Sequence, residues 1–165
     1  MEVVEGVVDI DDVDGFVADL GDIGAAHSVT VQAFDARYVV DRAHLERAVA
    51  LAERARERGD TIADDFEVEI LLYAAGRRQI NRALRMGVSE GQCPVVAVVV
   101  GESEADQRAA AADLRERLAD AETLGAYDDG RVRDLFDVSD TELAATEGTL
   151  ADAVRERVAL LPVEK

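Results

Sequence analysis

Residues 71–89 read LLYAAGRRQINRALRMGVS, and the way the first third of that stretch is read decides the fold. An uninterrupted apolar run, Ile70 to Ala75, meets Gly76, and a helix-like, arginine-rich segment follows. The preceding residues extend the pattern: FEVEILLYAA (66–75) alternates at first and then becomes uniformly apolar, as a central strand does. From Arg77 to Met86 the period is helical. Ile80, Ala83 and Leu84 gather on one side, and Arg78, Arg82 and Arg85 fall within roughly 60° of one another on the opposite side, taking about 3.6 residues per turn. Gly87 ends that helix. No Asp or Glu occurs between Glu69 and Glu90, although the chain carries a formal charge of −18. The first N–H groups of a helix lack internal partners and attract anions, so a basic helix start on an acidic molecule is a candidate phosphate site.

Outward from this stretch the elements alternate. Residues 3–10 mix β-branched residues with acids and read as a strand. Residues 11–20 carry Val13, Phe16, Val17 and Leu20 at helical spacing, with Gly21 and Gly24 as the stop. Residues 28–34 (SVTVQAF) are a second strand, and 38–40 a short extended or turn piece. Asp41 caps a helix with Leu45, Ala48, Val49, Ala52 and Ala55 on one face and charges on the other, closed by Gly59. Residues 94–101 (PVVAVVVG) are a buried strand. Ser103 with Asp106 opens an alanine-rich helix to about residue 120, with Ala111, Leu114 and Leu118 inward. A polar loop (121–130) and a short helical turn (131–136) follow. Ser139 with Glu142 opens a brief helix to about Gly148, and Thr149 with Asp152 caps a last one bearing Leu150, Val154, Val158 and Leu161. The expected fold is α+β: one domain over residues 1–165, with a central, mostly antiparallel sheet of about four strands packed with helices.

Composition narrows the function classes. A chain of 165 residues with 48% apolar and 33% charged residues can bury a core. Its 36 acids face 18 basic residues, all arginine except Lys165. Acid excess with arginine in place of lysine points to a salt-rich cytoplasm, where self-repulsion is screened within about 3 Å at molar salt; a basic binding partner is the other explanation. One cysteine, Cys93, rules out an internal disulfide, and with only His27 and His44 a transition-metal cluster is not expected. The start MEVVEG lacks the basic region of a signal peptide, and no apolar run is long enough to span a bilayer. A cytoplasmic, membrane-free protein is expected.

Catalytic signals are weak. No Gly-rich loop ends in Lys-Ser or Lys-Thr, and a single terminal lysine speaks against Schiff-base chemistry. His44 reads as a half-exposed helix histidine, His27 as a loop histidine, and Cys93 as a small buried thiol. Asp64-Asp65 and Asp128-Asp129 read as solvated turns. The arginine segment stands out from its background. It is either a solvent face paired with neighbouring acids or a surface for an anionic partner. Nucleic acid comes first among such partners, because arginine pairs bidentately with phosphate and stacks on bases. The residues placed at that surface are Tyr73, Arg77, Arg78, Gln79, Asn81, Arg82 and Arg85.

The run EILLYAAGRRQINRALRMGV (69–88) resembles the signature of the kinase-binding subunit of the KEOPS (EKC) complex, the TPRKB-like family of PRPK-binding proteins, in a haloarchaeal-type form. The matching features are Glu69-Ile70, Ala75-Gly76, Arg78-Gln79-Ile80, Ala83 and Gly87-Val88, and the order of flanking elements fits over residues 28–161. The resemblance implies a non-enzymatic accessory subunit with no cofactor and no small-molecule substrate. Its implied partners are the complex's small atypical kinase (an ATPase) and tRNA, held by the single-stranded 3′ CCA end for threonylcarbamoyladenosine modification. A protein-binding scaffold whose arginine face meets an acidic partner is the alternative.

Overall fold

Valine-rich segments set the sheet. The computed structural model describes residues 1–164, and Lys165, the single lysine, lies outside them. Three strands form: β1 (Glu2–Ile10), β2 (Thr30–Asp35) and β3 (Gly91–Val100). Their order is β1-β3-β2, with both pairings antiparallel, so that Val4 and Ala33 each lie opposite Ala97. Side chains alternate between faces along a strand, which puts Val4, Val31, Ala33, Cys93, Val95, Ala97 and Val99 on one face. Helices α1 (Val13–His27) and α5 (Glu104–Arg115) close that face with Leu20 and Ile23, and with Ala110, Ala111 and Leu114. On the β1 edge, Val7 and Ala119 exchange backbone hydrogen bonds of 2.9 and 2.8 Å. The Glu5 carboxylate there accepts from the N–H groups of Thr123 (2.9 Å) and Leu124 (2.7 Å).

These parts make up one of two compact units, Met1–Ala36 with Gly87–Leu124. The other unit runs from Arg37 to Met86 and resumes at Gly125. It holds α2 (Arg42–Arg58), α3 (Phe66–Ala75), α4 (Ile80–Ala83), α6 (Asp129–Phe136), α7 (Asp140–Ala144) and α8 (Leu150–Glu164). Helix α3 packs against α2, α4 and α8 and is buried at every residue from Glu69 to Ala75.

The fold is α+β as expected, but the sheet has three strands instead of four. The residues read as a central strand, 66–75, form α3. A helix enclosed on all sides has no polar stripe, so its sequence loses the 3.6-residue period and imitates a buried strand. Gly21 and Gly24 lie inside α1, which continues to His27. Gly24 serves close packing, because a Cβ there would sit 2.7 Å from the Val29 carbonyl oxygen. A 3-10 turn at Ala36–Tyr38 meets the piece read as extended or turn, 38–40, at its first residue, and α5 stops at Arg115, short of residue 120. Asp128 caps α6 by accepting from Arg131 N at 3.1 Å, and Asp129 opens that helix, so this pair is more than a solvated turn. The caps by Asp41, Ser103 and Ser139, the box of Thr149 with Asp152, and the stop at Gly59 form as read.

Candidate interaction surface on the second unit

Gly76 is the root of the surface. Its N–H bonds the Tyr73 carbonyl at 3.1 Å and the next N–H, of Arg77, bonds that of Leu72 at 3.0 Å, which closes α3 in a Schellman motif. The closing residue must be left-handed, and Gly76 has φ 62°. The chain then leaves through Arg77-Arg78-Gln79 into α4, a single turn, and a 3-10 turn at Leu84–Met86. The expected ten-residue helix is therefore short and begins after the first two arginines. A one-turn helix has too few aligned peptides for an anion site at its start.

Ala83 and Met86 anchor the segment with no exposed surface. Ile80 and Leu84, expected on the inward side with Ala83, point out instead, at 49% and 58% exposure. Arg78, Gln79 and Asn81 are exposed beside them. Tyr73 is 1% exposed, a core residue of α3 that offers no ring to a partner.

Arg77, Arg82 and Arg85 pair with acids at the end of α6. Arg77 donates to the Leu135 carbonyl and to Asp137, both at 2.6 Å. Arg82 lies 3.9 Å from Asp137, and Arg85 pairs with Asp134 at 2.5 Å. The hydrogen bond from Arg77, aided by the charges of Arg77, Arg82 and Arg157, holds the Asp137 carboxyl below the ordinary carboxylate range. Arg157 donates to the carbonyls of Phe136 (3.1 Å) and Asp137 (3.3 Å) and to Glu142 (2.7 Å). Arg77 and Arg157 thus occupy the carbonyls left open at the C-terminus of α6. The small cavity between them, lined also by Ala75, Gly76, Phe136 and Asp137, holds guanidinium groups already engaged.

Two buried polar residues that sequence reading placed otherwise, or passed over, hold the surface in position. His44 is fully buried, not half-exposed. Its Nδ1 accepts from Val40 N at 3.3 Å, so Nε2 carries the proton and donates to the Ala74 carbonyl at 2.7 Å, one turn before Arg77. Burial, partly opposed by the Ala74 bond and the Asp41 charge, lowers its pKa from 6.5 to about 4. Both ring nitrogens are engaged, which leaves no free base. Glu69 has no exposed surface, and its carboxylate accepts from Ile62 N at 2.9 and 3.1 Å and from Ala63 N at 2.8 Å. It ties the 61–65 turn to α3. Nothing in the sequence separates it from Glu67, two residues earlier and exposed to solvent.

In the first unit, His27 ends α1 and pairs with Asp113 at 2.6 Å, and Cys93 is buried as expected. No group of three or more His, Cys, Asp or Glu among the described residues could hold a metal ion. No helix among them is long and apolar enough to cross a membrane.

The family model for the kinase binding protein CGI-121 matches residues 11–161. Among curated proteins nothing matches. The matched span contains α3, the Arg77–Leu84 surface and all of the second unit up to Leu161, which bears out the resemblance carried by residues 69–88. The chain belongs to the CGI-121 family of kinase-binding proteins.

Proposed function

We propose that the chain is a non-catalytic accessory subunit of the KEOPS complex. In this reading it holds the small atypical kinase and helps bring tRNA to it by the 3′ CCA end for threonylcarbamoyladenosine modification. The observation that carries the kinase half is the pair Ile80 and Leu84. Two large apolar side chains stand one turn apart, exposed by 49% and 58%, above the anchors Ala83 and Met86. Arg78, Gln79 and Asn81 surround them. An apolar centre with a polar rim is the anatomy of a protein–protein contact. The tRNA half is supported by the same rim, in a stretch with no acid from Ile70 to Ser89. Splayed single-stranded bases are read by edge hydrogen bonds and by stacking on guanidinium planes. Arg78, Gln79 and Asn81 take those contacts, while Arg77, Arg82 and Arg85 shape the segment through their acids.

The test is gel filtration of the chain with the kinase, beside tRNA binding in about 2 M KCl, where diffuse attraction is screened. Co-elution with the kinase is expected, as is tighter binding of intact tRNA than of tRNA trimmed of its CCA. Failure to co-elute sinks the reading. Equal binding of the two tRNAs, or none, reduces the chain to a protein-binding scaffold.

A further inference from the structure

Most arginines of this acidic chain are matched to an acid, and among the described residues the exceptions gather on α2, with Arg115 of α5 another. On α2, Arg42 pairs with Glu46 and Arg56 stacks 3.7 Å over the Phe66 ring. Arg47, Arg54 and Arg58, all exposed, make no ion pair or hydrogen bond among the described residues. At 100° per residue they fall within about 40° of one another and span about 16 Å along the axis. The neighbours one turn from Arg47 are Ala43, His44, Ala50 and Leu51, with no acid among them. Arg58 has Arg54 one turn back, a like-charge pair that weakens a helix. Glu57, three residues after Arg54, is the one acid a turn away from any of the three, and among the described residues it forms no ion pair with Arg54. In a chain with 36 acids the stripe is short of acids and carries a repulsive pair.

We infer that this stripe of α2 binds the phosphate backbone of an RNA strand. A guanidinium offers several donors in the planar fork that phosphate oxygens match, and three in a row follow a chain of phosphates. The small Ala43 and Ala50 between them let a backbone lie close. An acidic protein is the weaker fit, because protein interfaces centre on large apolar side chains. The exposed large apolar residues are Val17, Ile80, Leu84, Leu160 and Val163, none of them on α2. The bond from His44 Nε2 to the Ala74 carbonyl brings the start of α2 beside the end of α3, from which the Arg78–Asn81 rim departs. One RNA can therefore reach both, its backbone on α2 and its bases on the rim. This inference rests on the tRNA half of the proposed function.

The experiment compares wild type, Arg47→Gln/Arg54→Gln/Arg58→Gln and Ile80→Asp/Leu84→Asp. Affinity for intact tRNA is measured from about 0.2 to 2 M KCl, with kinase binding in parallel. Each arginine that no longer neutralises a phosphate reduces the log–log salt slope by about 0.7 to 0.9. Glutamine and arginine are comparable helix formers, and the thermal midpoint of the triple variant in about 2 M KCl should stay close to that of wild type. The expected result is a triple variant that binds tRNA at least about tenfold more weakly, with a shallower salt slope by about 2, and binds kinase normally. Wild-type binding of tRNA with an unaltered triple variant overturns the stripe and leaves the tRNA reading standing. No tRNA binding by wild type overturns both. Loss of kinase binding in the triple variant makes the stripe a protein contact and also overturns the inference.

Discussion

His44 and Glu69 are buried polar residues of the second unit, and each bonds backbone groups that no apolar side chain could satisfy. The unfolded chain protonates His44 near its ordinary pKa of 6.5, whereas the folded protein, mainly through burial, does so only near 4. Stability therefore holds above pH 6.5, falls as pH drops through the window down to about 4, and has no further His44 contribution below it. The loss is on the order of 3 kcal/mol. Urea unfolding at several pH values between 7 and 4 should show this decline in wild type and a flatter one in His44→Gln; parallel curves contradict it. Glu69 satisfies the N–H groups of Ile62 and Ala63. Glu69→Ala leaves both unpaired beside a cavity and should cost about 2–4 kcal/mol, with Glu69→Gln costing about half as much. Equal stability of wild type and Glu69→Ala in denaturant titration refutes that role. Neither burial was legible from the chain, since a histidine or glutamate inside a helical pattern carries no mark of which side its helix turns inward.

At the scale of elements, Gly76 makes a measurable claim. A residue with a Cβ there must adopt φ 62° and would place that carbon 3.4 Å from the Arg157 carbonyl oxygen. Gly59 has a similar φ, 69°, with nothing near. Both alanine variants should lose about 1–2 kcal/mol from the left-handed conformation, and Gly76→Ala should lose more because of the Arg157 carbonyl. Calorimetry of the pair checks this; a greater loss at Gly59 contradicts it. Helix α2 was legible because Asp41, its apolar face and Gly59 all mark the same element. Helix α3 misled because enclosure erased its stripe, although Gly76, the acids Glu67 and Glu69, and the run of Leu and Ala were helix signals already present. The Arg77–Met86 segment was legible as a departure from the acidic background. Its exposed apolar pair was not, because Ile80 and Leu84 share a helical face with Ala83, and spacing alone cannot say that only Ala83 turns in. The burial of Tyr73 and the pairing of Arg77 and Arg85 depend on α3 and α6, whose packing no local pattern reveals.

For the whole molecule, the uneven use of arginine is the informative feature. Arg77, Arg82 and Arg85 fix the outgoing segment to α6, while Arg47, Arg54 and Arg58 make no ion pair among the described residues. Apolar side chains are exposed where a protein partner is proposed, and exposed guanidinium groups line α2 where a polyanion is proposed. Family membership establishes kinase binding as the family's property, and the exposed pair Ile80 and Leu84, on α4 and the 3-10 turn after it, is the place proposed for it. The most direct test is a calorimetric titration of the atypical kinase with wild type and with Ile80→Asp/Leu84→Asp. Because both side chains are already about half exposed, the variant should keep its fold and thermal midpoint. The account predicts that it binds the kinase at least about tenfold more weakly, a loss of about 1.4 kcal/mol or more. A dissociation constant equal to that of wild type would place the kinase on another surface and contradict the account.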